Sequence, residues 1–64
     1  MTKEDAIKAM EQGKKVTHRY FTSDEWMTME DGKIVLEDGV KCDPSFFWFD
    51  RKSKDWNDGY ELFE

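Results

Sequence analysis

Five Phe, three Trp and two Tyr are scattered through a chain of 64 residues in which 39% are charged. A chain this short and polar excludes water only with a few large side chains, so most of these rings are expected in one miniature core. The length allows a single domain, residues 1–64. At this size a fold is marginal unless packing is dense, a metal or disulfide contributes, or chains pair. Self-association into a homo-oligomer is therefore expected.

Ten Lys and Arg stand against fifteen Asp and Glu, a formal charge of −5 with His18 neutral. That sign disfavours general attraction to DNA, RNA or anionic membrane, and suits docking on a basic surface of another protein. Cys42 is the only cysteine, so no internal disulfide forms and a reducing cytoplasm fits better than secretion. The N-terminus lacks the basic-then-apolar pattern of a signal peptide, and no apolar run approaches the length of a membrane span.

Local signals predict the elements. Thr2 with Asp5 three positions on is a helix N-cap pattern, and Ala6, Ile7 and Met10 make one narrow apolar stripe over residues 3–12. Gly13 is a natural left-handed stop that hands over directly to a strand at 15–21. In that strand Val16, His18 and Tyr20 point one way, and Thr17, Arg19 and Phe21 the other. Asp31-Gly32 between the strands 26–29 and 33–36 is a hairpin signal, and Asp38-Gly39 ends the third strand or tightens a second hairpin into 40–42. Asp43-Pro44 opens a helical turn carrying Phe46, Phe47, Trp48 and Phe49, of which at least one ring must face outward. Asn57, Asp58 and Gly59 form a turn before a final strand at 60–63. The expected fold is α+β: an N-terminal helix packed on a small antiparallel sheet of three to four short strands, with a short helical turn near residues 44–50.

Two groups of side chains carry the functional expectations. Lys14, Lys15 and Arg19, with His18 between them, form the one dense positive run, and Lys15, His18, Arg19, Trp26 and Trp56 are the candidate ligands for an anionic nucleotide. The plainer reading is that the lysines complement the helix C-terminus and Arg19 pairs with a surface carboxylate. Likewise Trp26, Trp48, Trp56 and Tyr60 make either a stacking wall or the core itself. For a protein partner the candidates are Asp24, Glu25, Trp26, Asp31, Asp38 and Trp48, a charged rim around aromatic anchors. No cofactor or metal is expected, because His18 and Cys42 lack companion ligands and the aspartates do not follow an EF-hand pattern. Catalysis is poorly supported: His18, Cys42 and Asp43 are an imaginable nucleophile set, but no nucleophile elbow or phosphate loop accompanies them.

The stretch DAIKAMEQGKKVTHRYF at 5–21 resembles the start of a family of short phage and prophage proteins, in which an amphipathic helix ends in Gly-Lys-Lys-Val or Gly-Lys-Arg-Val and enters a basic, aromatic strand. WNDGYELF at 56–63 is similar to that family's closing strand, with Tyr60 where a tryptophan is usual. On this resemblance Gly13, Lys15, Val16 and Arg19 match the first motif, and Trp56, Tyr60, Glu61 and Leu62 the second. The chain departs from the family in the acidic hairpin region 24–39 and in lacking its small-residue and Pro-rich approach to the final strand. Members of the family act against bacterial defence, some as oligomeric sponges for cyclic ADP-ribose-type signals of the Thoeris system and another as an inhibitor of Cas9. The resemblance implies a non-enzymatic phage accessory protein in the host bacterial cytoplasm. The leading expectation is inhibition of a host defence protein through the acidic and aromatic surface. A nucleotide sponge and a small virion-associated protein are the alternatives.

Overall fold

The computed structural model describes all residues, 1–64, and has an α+β architecture. Helix α1 (Lys3–Glu11) begins where expected, with the Asp5 amide donating to Thr2 Oγ1 at 3.2 Å. It ends as Gly13, at φ 84°, turns the chain toward β1 (Val16–His18). β1 is shorter than its alternating sequence suggests. The Phe21 amide donates to the His18 carbonyl at 2.8 Å, closing a turn that carries Tyr20 into solvent instead of onto the face shared by Val16 and His18.

β2 (Met27–Glu30) and β3 (Lys33–Leu36) form the expected hairpin. Both central residues of its two-residue turn have positive φ, 52° at Asp31 and 76° at Gly32, which matches the right-handed twist of the strands. The second Asp-Gly tightens a hairpin into β4 (Lys41–Cys42), with the Leu36 amide donating to the Val40 carbonyl at 2.9 Å. The chain then crosses the helix-bearing face through α2 (Pro44–Phe49) and a 3₁₀ turn at Lys54–Trp56, and returns as β5 (Tyr60–Leu62) beside β1. The result is one antiparallel sheet ordered β4-β3-β2-β1-β5, five strands where three to four were expected. The addition is the two-residue β4, too brief to announce itself by periodicity.

Residues directly opposed in the register share a face of the sheet. Val16, His18, Met27, Ile34 and Tyr60 lie on the side covered by the helices, where they meet Ala6 and Met10 of α1 and Phe47 of α2. Aromatic rings do not dominate this core. Met10, Met27, Ile34 and Val16 fill its centre beside Tyr60, while Trp48 and Trp56 pack against its flank half-buried. Unbranched methionines fit the irregular gap between a short helix and a twisted sheet better than rigid indoles do.

The opposite face carries Thr17, Thr28, Val35, Lys41 and Glu61 and has no second layer. Val35 is nonetheless nearly buried, because Glu30 on β2 and Lys41 on β4 form an ion pair at 3.7 Å that spans β3 and lays the lysine stem beside it. Both sheet edges are blunted against further strand pairing. β4 is short, and on β5 the Tyr60 amide and carbonyl are taken by Met1, with Tyr60 donating to the Met1 carbonyl at 3.2 Å and the Met1 amine to the Tyr60 carbonyl at 2.7 Å. No helix is long and apolar enough to cross a membrane.

Met27 sits at the centre of the sheet, fully buried against Val16 and Leu36. Met27→Ala is expected to cost about 2–5 kcal/mol in urea unfolding. A loss below about 1 kcal/mol would mean that the layer above it closes over the void.

Candidate functional site

His18 is the most committed polar side chain in the molecule, 2% exposed on the core side of β1. Its Nδ1 accepts the Tyr20 amide at 3.1 Å, so that nitrogen carries no proton and the ring is the neutral tautomer with its hydrogen on Nε2. Nε2 donates to the carbonyl of Asp58 at 2.8 Å, with the Asp55 carbonyl at 3.2 Å. The ring stacks on Trp56 at 4.3 Å and 24°, and meets Tyr60 edge-on at 4.5 Å. This expected ligand residue therefore ties the irregular segment 55–58 to the sheet. Gly59 makes that approach possible: at φ 90°, a Cβ there would lie 2.8 Å from Arg19 Nη1 and 3.2 Å from His18 Nε2.

The other expected nucleotide ligands separate into two places. Arg19 and Trp56 stay near His18, with Arg19 Nη2 donating to the Asp55 carbonyl at 3.3 Å and the guanidinium 5.5 Å from the Tyr20 ring centre. Lys15 instead places its ammonium 4.3 Å from the Trp26 ring, beside Phe63. Lys15 and Arg19 are thus held over different rings. The four rings weighed as a stacking wall divide as well: Trp48, Trp56 and Tyr60 belong to one aromatic row with His18 and Phe47, whereas Trp26 contacts only Phe63 among the rings.

The expected protein-facing residues are also spread along the sheet. Asp24, Glu25 and Asp38 lie at the end where β2 starts and β3 stops, and Asp31 lies at the other end in the hairpin turn. Two of them do turn chemistry, Glu25 Oε1 accepting the Thr22 amide at 3.0 Å and Asp38 Oδ1 the Val40 amide at 3.1 Å. Trp48 is half-buried, edge-on to Phe47 at 4.9 Å and covered by the Lys3 ammonium at 4.3 Å. His18 on β1 and Cys42 on β4 are three strand spacings apart, about 14 Å, so the imagined set with Asp43 is not assembled. No three His, Cys, Asp or Glu side chains come together in a way that could hold a metal ion.

The largest exposed aromatic surface lies on α2, where Phe46 is 77% and Phe49 66% exposed. Phe47 fixes the rotation of this helix by entering the core, and residues at positions 46 and 49, one turn apart, are then turned to solvent. Asp43 does not cap α2 with its side chain; its carboxylate pairs with Lys33 at 2.5 Å, a hydrogen bond that raises the Lys33 ammonium above its ordinary pKa. At the other end Arg51 Nη1 donates to the Phe47 carbonyl at 2.9 Å, and its guanidinium lies 4.1 Å from the Phe47 ring and 5.3 Å from that of Trp56. Arg51 Nε is shut away from solvent with no acceptor. Nothing local in the sequence marks Arg51, since its partners come from α2 and the 3₁₀ turn together. The run at 46–49 did signal an outward ring, and Pro44 at the first helical position with Phe47 inside supplies the phase that identifies which two.

Comparison with protein-family models, curated proteins and solved structures finds no match to this chain.

Burial pushes the Tyr60 phenol up to about 12, with the Arg51 guanidinium opposing the shift and Glu4 adding to it. Its hydroxyl donates to the Trp56 carbonyl at 2.5 Å. In the unfolded chain the phenol ionises near its ordinary 10.0, so Tyr60's contribution to stability is intact below pH 10 and is lost as pH rises through about 12. Alkaline titration followed by phenolate absorbance is expected to show one tyrosine deferred to about pH 12, with unfolding setting in over the same window. Ionisation of Tyr60 near pH 10 in a still folded protein would contradict this burial.

Proposed function

We propose that this protein works by binding, and that its partner is a protein with a basic surface. The observation that carries this reading is how the charges are disposed. Of ten cationic side chains, Lys33 and Lys41 pair with carboxylates, and Lys3, Lys15, Arg19, Arg51 and Lys52 lie over aromatic rings. Of fifteen carboxylate side chains, only Glu30, Asp43 and Asp58 meet a cation at ion-pairing distance. With a net charge of −5, twelve of the fifteen carboxylates are left without an ion-pairing cation, and the surface field is negative. Such a field speeds encounter with a basic surface and repels free anions.

A nucleotide sponge would have to work against this field with Lys15 and Arg19 held over separate rings. A sponge would have to bring Lys15 and Arg19 together from two or more subunits. In the setting implied by the resemblance of the termini to short phage proteins, the partner is a host defence protein of the bacterial cytoplasm, inhibited stoichiometrically and without chemical change.

Native mass spectrometry of the protein purified gently from defence-carrying bacterial lysate tests the reading. A basic protein partner in fixed stoichiometry is expected, released as ionic strength rises and unaffected by Lys15→Glu with Arg19→Glu. A nucleotide adduct on a homo-oligomer, abolished by the same double substitution, would overturn it in favour of sequestration.

A further inference from the structure

The first turn of α2 separates two shallow grooves, one edged by two carboxylates and the other by two phenyl rings. On one side Glu11, Met29, Asp31, Gly32 and Pro44 line a groove of about 480 Å³, into which α1 and the β2–β3 hairpin contribute the carboxylates. On the other side Asp43, Ser45, Phe46 and Phe49 line one of about 470 Å³. Neither Glu11 nor Asp31 has a cation at ion-pairing distance. Asp31 is held by the tight turn at φ 52°, and its place on the hairpin does not depend on a flexible loop.

The aromatic side is equally fixed. Phe47 in the core sets the rotation of α2, the Asp43–Lys33 pair holds its start, and Arg51 holds its end. Phe46 and Phe49 are exposed because the helix is anchored, not because it frays. Lys52 already lies over one of these rings, 4.7 Å from the centre of Phe49, while no cation covers Phe46. Two rigid, water-exposed phenyl rings beside unpaired carboxylates match a surface with bulky apolar groups next to a positive charge. An apolar partner without charge would leave Glu11 and Asp31 desolvated and unpaired, which is costly.

Resting on the reading of this chain as a protein binder, we propose that the first turn of α2 is a docking edge for a basic amphipathic segment of the partner: a Lys or Arg enters the Glu11–Asp31 groove and apolar side chains cover Phe46 and Phe49. The two grooves flank a single helix, whose diameter is about 10 Å. Basic and apolar residues about two helical turns apart on the partner, about 11 Å along its axis, can therefore reach both.

A short synthetic amphipathic peptide of Lys and Leu, with a Glu and Leu counterpart, is the probe, followed by ¹⁵N–¹H NMR titration of the full chain. Saturable shifts are expected at Glu11, Asp31, Gly32 and residues 43–49 with the Lys peptide and not with the Glu peptide. Phe46→Ser with Phe49→Ser should weaken binding about tenfold or more, and Glu11→Gln with Asp31→Asn several-fold. All four positions are exposed, and an unchanged spectrum outside the edge verifies that the variants fold. Shifts centred on Asp24, Glu25 and Asp38 would overturn the docking edge while leaving a basic partner in place. Equal binding of both peptides, or no saturable shift with the Lys peptide, would also overturn the edge; the reading of the protein as a binder is decided separately by the composition of the natural complex.

Discussion

One imidazole holds together the part of this molecule that has least regular structure. Between α2 and β5 the chain makes only a single 3₁₀ turn, yet it must cross from one edge of the sheet to the other and deliver Tyr60 into the core. His18 fastens this crossing from below by donating to the Asp58 carbonyl and stacking on Trp56, while its other nitrogen accepts the amide of Tyr20 and ends β1. The placement of Tyr60 depends on that fastening, and through Tyr60 so does the position of β5 beside β1. A buried polar group with both nitrogens satisfied adds specificity here, because any other arrangement of segment 55–58 would leave it unpaired in a low-dielectric interior.

The same economy governs the rings and charges. A two-layer fold of this size has room at its centre for methionines and β-branched side chains, and the indoles are displaced to its flank. There they offer faces to cations: Lys3 over Trp48, Lys15 over Trp26 and Arg51 over Trp56. Each such contact is worth about 0.5–1 kcal/mol where water has access. They fix where the basic side chains sit without cancelling their charge, and the acidic exterior follows from the net charge of −5 with most carboxylates unpaired. The helix-free face of the sheet is closed by threonines and a lysine–glutamate bridge. Exposed apolar surface is concentrated instead on α2, where a helix anchored at both ends holds two phenyl rings in water.

Much of the fold was legible because its signals are local. Thr2 and Asp5 start α1, Gly13 stops it, and Asp31-Gly32 and Asp38-Gly39 turn the hairpins; each depends on a few consecutive residues and on backbone preferences that tertiary contacts did not override. The candidate sites were less legible. Lys15, His18 and Arg19 are adjacent in sequence, but alternation along β1 and the turn after it send His18 inward and Arg19 onto Tyr20, while Lys15 goes to Trp26. Asp31 and Asp38 are close in the chain and sit at opposite ends of β3.

What neighbouring residues encode is an acidic α+β chain with one capped helix, a hairpin at Asp31-Gly32, a turn at Asp38-Gly39 and a short aromatic helical turn, because capping, turn geometry and charge are local properties. Packing across the sheet made His18 a fastener, set Arg51 between two rings, and turned Phe46 and Phe49 to solvent while Phe47 went inward. Those outcomes rest on which elements pack across the sheet: side-chain burial and ring stacking join residues such as His18 and Asp58 that are far apart in the chain, and no local preference encodes their meeting.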